Sequence, residues 1–131
     1  MRVETEPWWR QARADLETAE VLLGARRYYG VSWFVQQAVE KGLKALYVEH
    51  RGVLAPRTQD LRHLGREIAA PPAIETDLTA LNPTFDLTRY PDLSHGTVPV
   101  DEVTEGDATR DLEAGRRVFA WLDRQLNPGR P

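Results

Sequence analysis

Phe34-Val35-Gln36-Gln37-Ala38-Val39-Glu40-Lys41-Gly42-Leu43-Lys44-Ala45-Leu46 is the stretch on which the fold turns. With Val31 ahead of it, its apolar residues Phe34, Val35, Ala38, Val39, Leu43 and Leu46 recur at helical steps and fall on one face. The spacing predicts a helix from about Val31 to His50, with Ser32 as candidate cap and an apolar face wider than a two-helix seam requires. Gly42 inside that pattern costs about 1 kcal/mol against Ala, which a close helix crossing would explain. The polar residues are patterned too. Gln37, Lys41 and Lys44 lie at i, i+4 and i+7 and share a face, with Gln36 and Glu40 on the adjacent one. Polar groups on so apolar a helix point to a partly buried strip that needs specific hydrogen bonds. Three uses of it stand open: locking the helix to its neighbours, meeting a ligand or nucleic acid, or touching a second subunit.

Outward from this helix the same periodicity continues. Trp9, Ala12, Leu16, Ala19 and Leu23 step by three and four behind Pro7, which suits a first helical turn. Gly24 or Gly30 is expected to end that helix. After the central helix, residues 51–56 read as a connection. A short third helix follows, opened by Thr58 or Asp60, carrying Leu61, Leu64 and Ile68 and stopped by Pro71-Pro72. Ile74 to Leu81 forms a further piece, broken at Asn82-Pro83; Phe85, Leu87 and Tyr90 give a short apolar segment, and residues 95–106 a loop. A last helix starts near Glu105 or Asp107 and carries Leu112, Gly115, Phe119, Leu122 and Leu126 before Asn127-Pro128-Gly129 closes it. No alternating strand pattern and no repeat is present. The expected fold is all-α, an up-and-down bundle of four to five helices packed as a homodimer. It occupies one domain over residues 5–127, with a short disordered tail at 128–131.

Composition narrows the function classes. The 131 residues contain no cysteine, which removes disulfides and thiolate metal sites. The first residues lack the apolar run of a signal peptide, and no window approaches the roughly 18 apolar residues of a membrane span; a cytoplasmic protein with no membrane association is expected. The net charge of −3 argues against binding nucleic acid by bulk electrostatics. Its distribution is uneven: residues 8–66 carry ten Lys/Arg against six Asp/Glu, whereas residues 67–109 carry only Arg89 against nine acids. Such segregation fits either an acidic loop region or a surface that faces a basic partner. His50 and His63 stand alone, and no metal-ligand spacing or phosphate-binding glycine loop is present. Trp8, Trp9 and Trp33 have the chemistry to stack bases, but at helical spacing they read first as core.

Residues 34–46 resemble the signature helix of the HEPN family, in which an aromatic precedes Gln-Gln-Ala and then Glu-Lys-x-Leu-Lys. Ala14-Asp15-Leu16, Ala19, Leu22-Leu23 and Tyr28-Tyr29 are similar to the family's opening helix. Thr58-Gln59-Asp60-Leu61 resembles its Thr-His-Asp-Leu, with Gln59 in the place of His, and Arg89-Tyr90-Pro91-Asp92 resembles an element of one branch. The resemblance implies a dimeric helical module that works beside a minimal nucleotidyltransferase, or with RNA or nucleotides, as in toxin–antitoxin or stress systems. No cofactor or metal is implied.

An enzymatic alternative rests on the Arg-x5-His spacing of Arg89 and His95. HEPN ribonucleases carry such a pair and cleave RNA without metal. There His95 would act as general base or acid at the ribose 2′-hydroxyl, and Arg89 would hold the scissile phosphate. Pro91 forces a turn between the two, and an ion pair of Arg89 with Asp86 or Asp92 is the structural alternative. A third class is a nucleotide- or DNA-binding module using the basic first half, with Gln37, Lys41 and Lys44 as the ligand candidates.

Overall fold

Pro7 stands in the first turn of α1 (Glu6–Gly24), where its missing N–H breaks no helical bond. The computed structural model describes residues 1–82 and 102–129, and every regular element among them is a helix. After α1 come α2 (Tyr28–Arg51), α3 (Leu61–Glu67), α4 (Pro72–Leu81) and α5 (Glu105–Leu126). The expected all-helical bundle is present. The segment holding Phe85, Leu87, Tyr90 and most of the following loop lies outside the described residues.

The ends of the helices differ from expectation in instructive ways. Gly24 is merely the last residue of α1; the left-handed residue beyond it is Arg26, at φ 61°. The Arg27 N–H donates to the Leu22 carbonyl and the Arg26 N–H to that of Leu23, a paired closure in which glycine is the usual left-handed residue. The second helix begins three residues before Val31, and Gly30 lies inside it rather than ending the first. Ser32 is therefore not a cap: it is buried one turn in, and its hydroxyl donates to Asp111 of α5 at 2.7 Å. Gly52, at φ 67°, supplies the left-handed cap after Arg51. Of the two candidate openers of α3, Asp60 caps it by accepting from the Arg62 and His63 N–H groups. Thr104 and Asp107 form a reciprocal capping box at the start of α5.

Packing explains the breadth of the apolar face of α2. Val31, Val35, Ala38, Val39, Leu43 and Leu46 are fully buried, and α2 packs against α1, α3 and α5. A helix with three neighbours needs more than one apolar stripe, so the width is used within the chain. At its crossing with α5, a Cβ on Gly42 would stand 2.7 Å from Leu122 Cδ1, with Trp9 and Phe119 just beyond. Those two rings stack at 5.1 Å between centroids. On α5, Gly115 meets Val35 in the same way, at 2.7 Å. The buried Asp77 of α4 accepts two bonds from the Arg117 guanidinium, at 2.9 and 3.1 Å, and ties α4 to α5.

Candidate functional site

The polar strip of α2 divides into two rows that do different things. Lys41 turns toward α1, where its ammonium lies 2.5 Å from Asp15 Oδ2, and Gln11 donates to the other oxygen of the same carboxylate at 3.0 Å. Asp15 is buried, so the pair satisfies a charge that would otherwise be costly between the two helices. Gln36, Glu40 and Lys44, at i, i+4 and i+8, form the second row. Lys44 thus pairs with Glu40 of this row, Lys41 with Asp15 of α1, and Gln37 with Gln36.

This second row lies beneath the chain that leads into α3. Gln37 donates to Gln36 Oε1 at 2.8 Å, and Gln36 Nε2 reaches the Gln59 carbonyl at 3.5 Å, which sets the loop over α2. The Lys44 ammonium donates to Glu40 Oε2 at 3.0 Å and sits 5.8 Å from the centre of the Trp8 ring. Both residues are almost enclosed, with Glu40 7% and Lys44 8% exposed. The other carboxylate oxygen, Glu40 Oε1, is buried and has no hydrogen-bond partner among the described residues. Beside this pair opens a cavity of about 490 Å³ lined by Glu40, Lys44, Arg57, Thr58 and Gln59. Two further clefts, of about 800 and 580 Å³, lie along the start of α1 and beside Ser32 and Asp111.

The loop wall is held firmly. The Asp60 N–H donates to Thr58 Oγ1, and Asn82 bridges back by accepting from the Leu61 N–H and donating to Asp60 Oδ1. Burial pushes the Asp60 carboxyl upward, but the N–H of His63, the Asn82 amide and the N–H of Arg62 outweigh it and hold the group below the usual carboxylate range. Arg57 projects outward at the rim with no ion pair among the described residues. Glu40, Arg57 and Thr58 were not separable as a site from sequence. The Thr58–Leu61 motif is visible in the sequence, but Lys44 reads there as a neighbour of Gln37 and Lys41, and the fold alone sets the Glu40–Lys44 pair beneath the loop.

Arg89 and His95 lie outside the described residues, so their convergence is not seen. His50 is exposed and His63 half-buried. Among the described residues no three His, Asp or Glu side chains gather as a metal site. No described helix is long and apolar enough to cross a membrane.

The HEPN domain model matches residues 5–125. Two solved structures are similar. TT1696 from Thermus thermophilus superposes with a TM-score of 0.88 at 25% identity, over 95% of this chain and 100% of that one. ST0689, described as an archaeal HEPN homologue, gives a TM-score of 0.79 at 29% identity, over 97% of this chain and 100% of that one. No curated protein matches.

Proposed function

The chain belongs to the HEPN domain family, and from that premise we propose that it is a helical recognition module working beside a minimal nucleotidyltransferase. One observation carries the reading. The cations of the signature helix are spent inside the chain, Lys41 on Asp15 and Lys44 on Glu40, so α2 acts as a frame and recognition falls to the surfaces around it. The partner is the one that the resemblance of residues 34–46 and of the opening helix to the family implies. Mixing the protein with a minimal nucleotidyltransferase encoded beside it tests this: co-elution on size exclusion at micromolar concentration is expected, and independent elution overturns it.

The Arg89-x5-His95 spacing favours one second reading, a metal-independent endoribonuclease. Incubating a mixed RNA pool with the wild type and with His95→Ala decides it, since two inert or two equally active proteins end the ribonuclease reading.

A further inference from the structure

The cleft of about 800 Å³ along the start of α1 presents two cations that the chain itself does not use. Arg10 and Arg13 stand exposed in its lining, and neither forms an ion pair among the described residues. Asp15, farther along the same helix, is committed to Lys41 and Gln11. Arg13 is nonetheless held in place. Its guanidinium carbon lies 6.0 Å from the centre of the Trp9 ring, which itself stacks on Phe119. An arginine ordered by an indole rather than by a carboxylate keeps its planar donors for a ligand and loses less freedom on binding one. Asn127, just past the end of α5, joins the lining; its amide N–H goes to Asp123, which leaves its oxygen to accept. Val3 and Pro7 make the other end of the cleft apolar, and Glu6 is the one carboxylate in the lining.

The spacing of these groups selects the ligand. Residues three apart on a helix hold their side chains about 5–6 Å apart, which is the relation of Pro7 to Arg10 and of Arg10 to Arg13. In an extended chain, side chains on one side recur every second residue, about 6.5 Å apart. The two periods nearly match over three steps. We infer that this cleft receives an extended acidic segment of a partner protein with the pattern apolar-x-acid-x-acid, its carboxylates on Arg10 and Arg13 and its apolar side chain at Pro7 and Val3. Glu6 sets the direction, because it repels an acid placed at the apolar end. The Asn127 oxygen is the acceptor for a backbone N–H of the segment. A nucleic-acid strand fits less well: two guanidiniums against one carboxylate leave little to neutralise a row of phosphates.

The inference does not require the partner to be a nucleotidyltransferase. Independent elution from such a protein would leave it standing, and its own failure would leave that partnership to another surface.

An acetylated and amidated peptide, Leu-Ser-Glu-Ser-Glu, titrated into the isotope-labelled full chain by NMR at low salt, is the probe. Amide shifts are expected at residues 6–14 and at Asn127. The same peptide with both glutamates replaced by glutamine should bind about fivefold more weakly, and one with serine in place of the leucine should also bind more weakly. Arg10→Ala and Arg13→Ala should each weaken the acidic peptide about threefold, and a circular dichroism melt verifies that both variants fold. Arg57→Ala, an exposed cation outside the cleft, and Leu54→Glu should leave its affinity unaltered. Absence of shifts up to millimolar peptide, shifts gathered elsewhere, or equal binding by the glutamine peptide overturns the site. A loss with Arg57→Ala as large as that with Arg13→Ala does the same, since it would reveal attraction by bulk charge. An oligouridylate that moves the same amides at lower concentration than the peptide overturns the choice of a protein segment.

Discussion

Asp111 shows how a single side chain reads differently once its surroundings are known. Burial pushes its carboxyl above the ordinary range and Asp107 adds to that, while the Ser32 hydroxyl and Arg110 oppose it. The folded state therefore holds the proton more tightly than the unfolded one. Stability is highest below the unfolded carboxylate value and falls as pH rises through the folded value. Asp111→Asn keeps an acceptor for Ser32 and removes the charge, so its melting temperature should exceed the wild type's at pH 7, with the gain shrinking toward pH 4. An equal gain at both values would contradict this. The left-handed residues make the second test at this scale. Arg26 and Ala69 occupy helix-closing positions at φ 61° and 55°, where an L side chain costs roughly 1–2 kcal/mol and glycine's extra chain entropy returns part of that. Arg26→Gly and Ala69→Gly should each stabilise the fold by about 0.5–1 kcal/mol in urea melts. A loss in either would mean that the side chain contributes packing not evident from its exposed position. Neither site was visible beforehand, because Gly24 was the natural candidate and a backbone angle leaves no mark on residue type.

Helices α2 and α5 cross on their glycines, and the two glycines should not respond alike. An alanine at 115 would press on Val35, whose branched side chain is stiff in a helix. One at 42 would press on the end of Leu122, which has a further rotatable bond. Each replacement gains about 1 kcal/mol of helix propensity against an overpacking cost of roughly 1–3 kcal/mol. Gly115→Ala should therefore destabilise by about 1 kcal/mol, and Gly42→Ala by less; the reverse order in chemical denaturation would refute the geometry. Asp60 governs the other end of the bundle, capping α3 and receiving Asn82. Asp60→Ala should cost about 1–2 kcal/mol in chemical denaturation. Elements of this kind were largely readable in advance. The three-and-four spacing around Leu43 and Leu122 marks helices regardless of context, and the Gly42 crossing followed from the oddity of glycine in an apolar helix. Helix starts were less readable, since Ser32 has the chemistry of a cap and only its burial against Asp111 shows that it is spent elsewhere.

At the scale of the whole molecule, what sequence could not show was how surface is shared out. The wide apolar face of α2 suggested a second subunit, yet α1, α3 and α5 bury Val31, Val35, Ala38, Val39, Leu43 and Leu46 and leave Phe34 partly open, because α2 is the central helix of the bundle. The Glu40–Lys44 cavity escaped notice for the complementary reason: its floor and its wall come from segments brought together only by folding. A subunit contact must then use apolar surface that the bundle leaves outside. Such surface exists at one end. The Arg2 N–H donates to Glu49 Oε1 at 2.7 Å and holds that carboxyl below its usual range, while the Arg2 guanidinium lies against Gly52. Met1 and Val3 are thereby placed at the end that bears Val53 and Leu54, and Val3 and Leu54 are each 81% exposed. Apolar residues left so open in a group mark contact sites more often than accidents. The homodimer that the family resemblance implies should therefore form through this end. Light scattering at micromolar concentration should give twice the 14.9 kDa chain mass. Leu54→Glu should return the protein to a monomer without lowering its melting temperature, since the residue is so largely exposed. A monomeric wild type would remove the dimer, and a dimer indifferent to Leu54→Glu would move it to another surface.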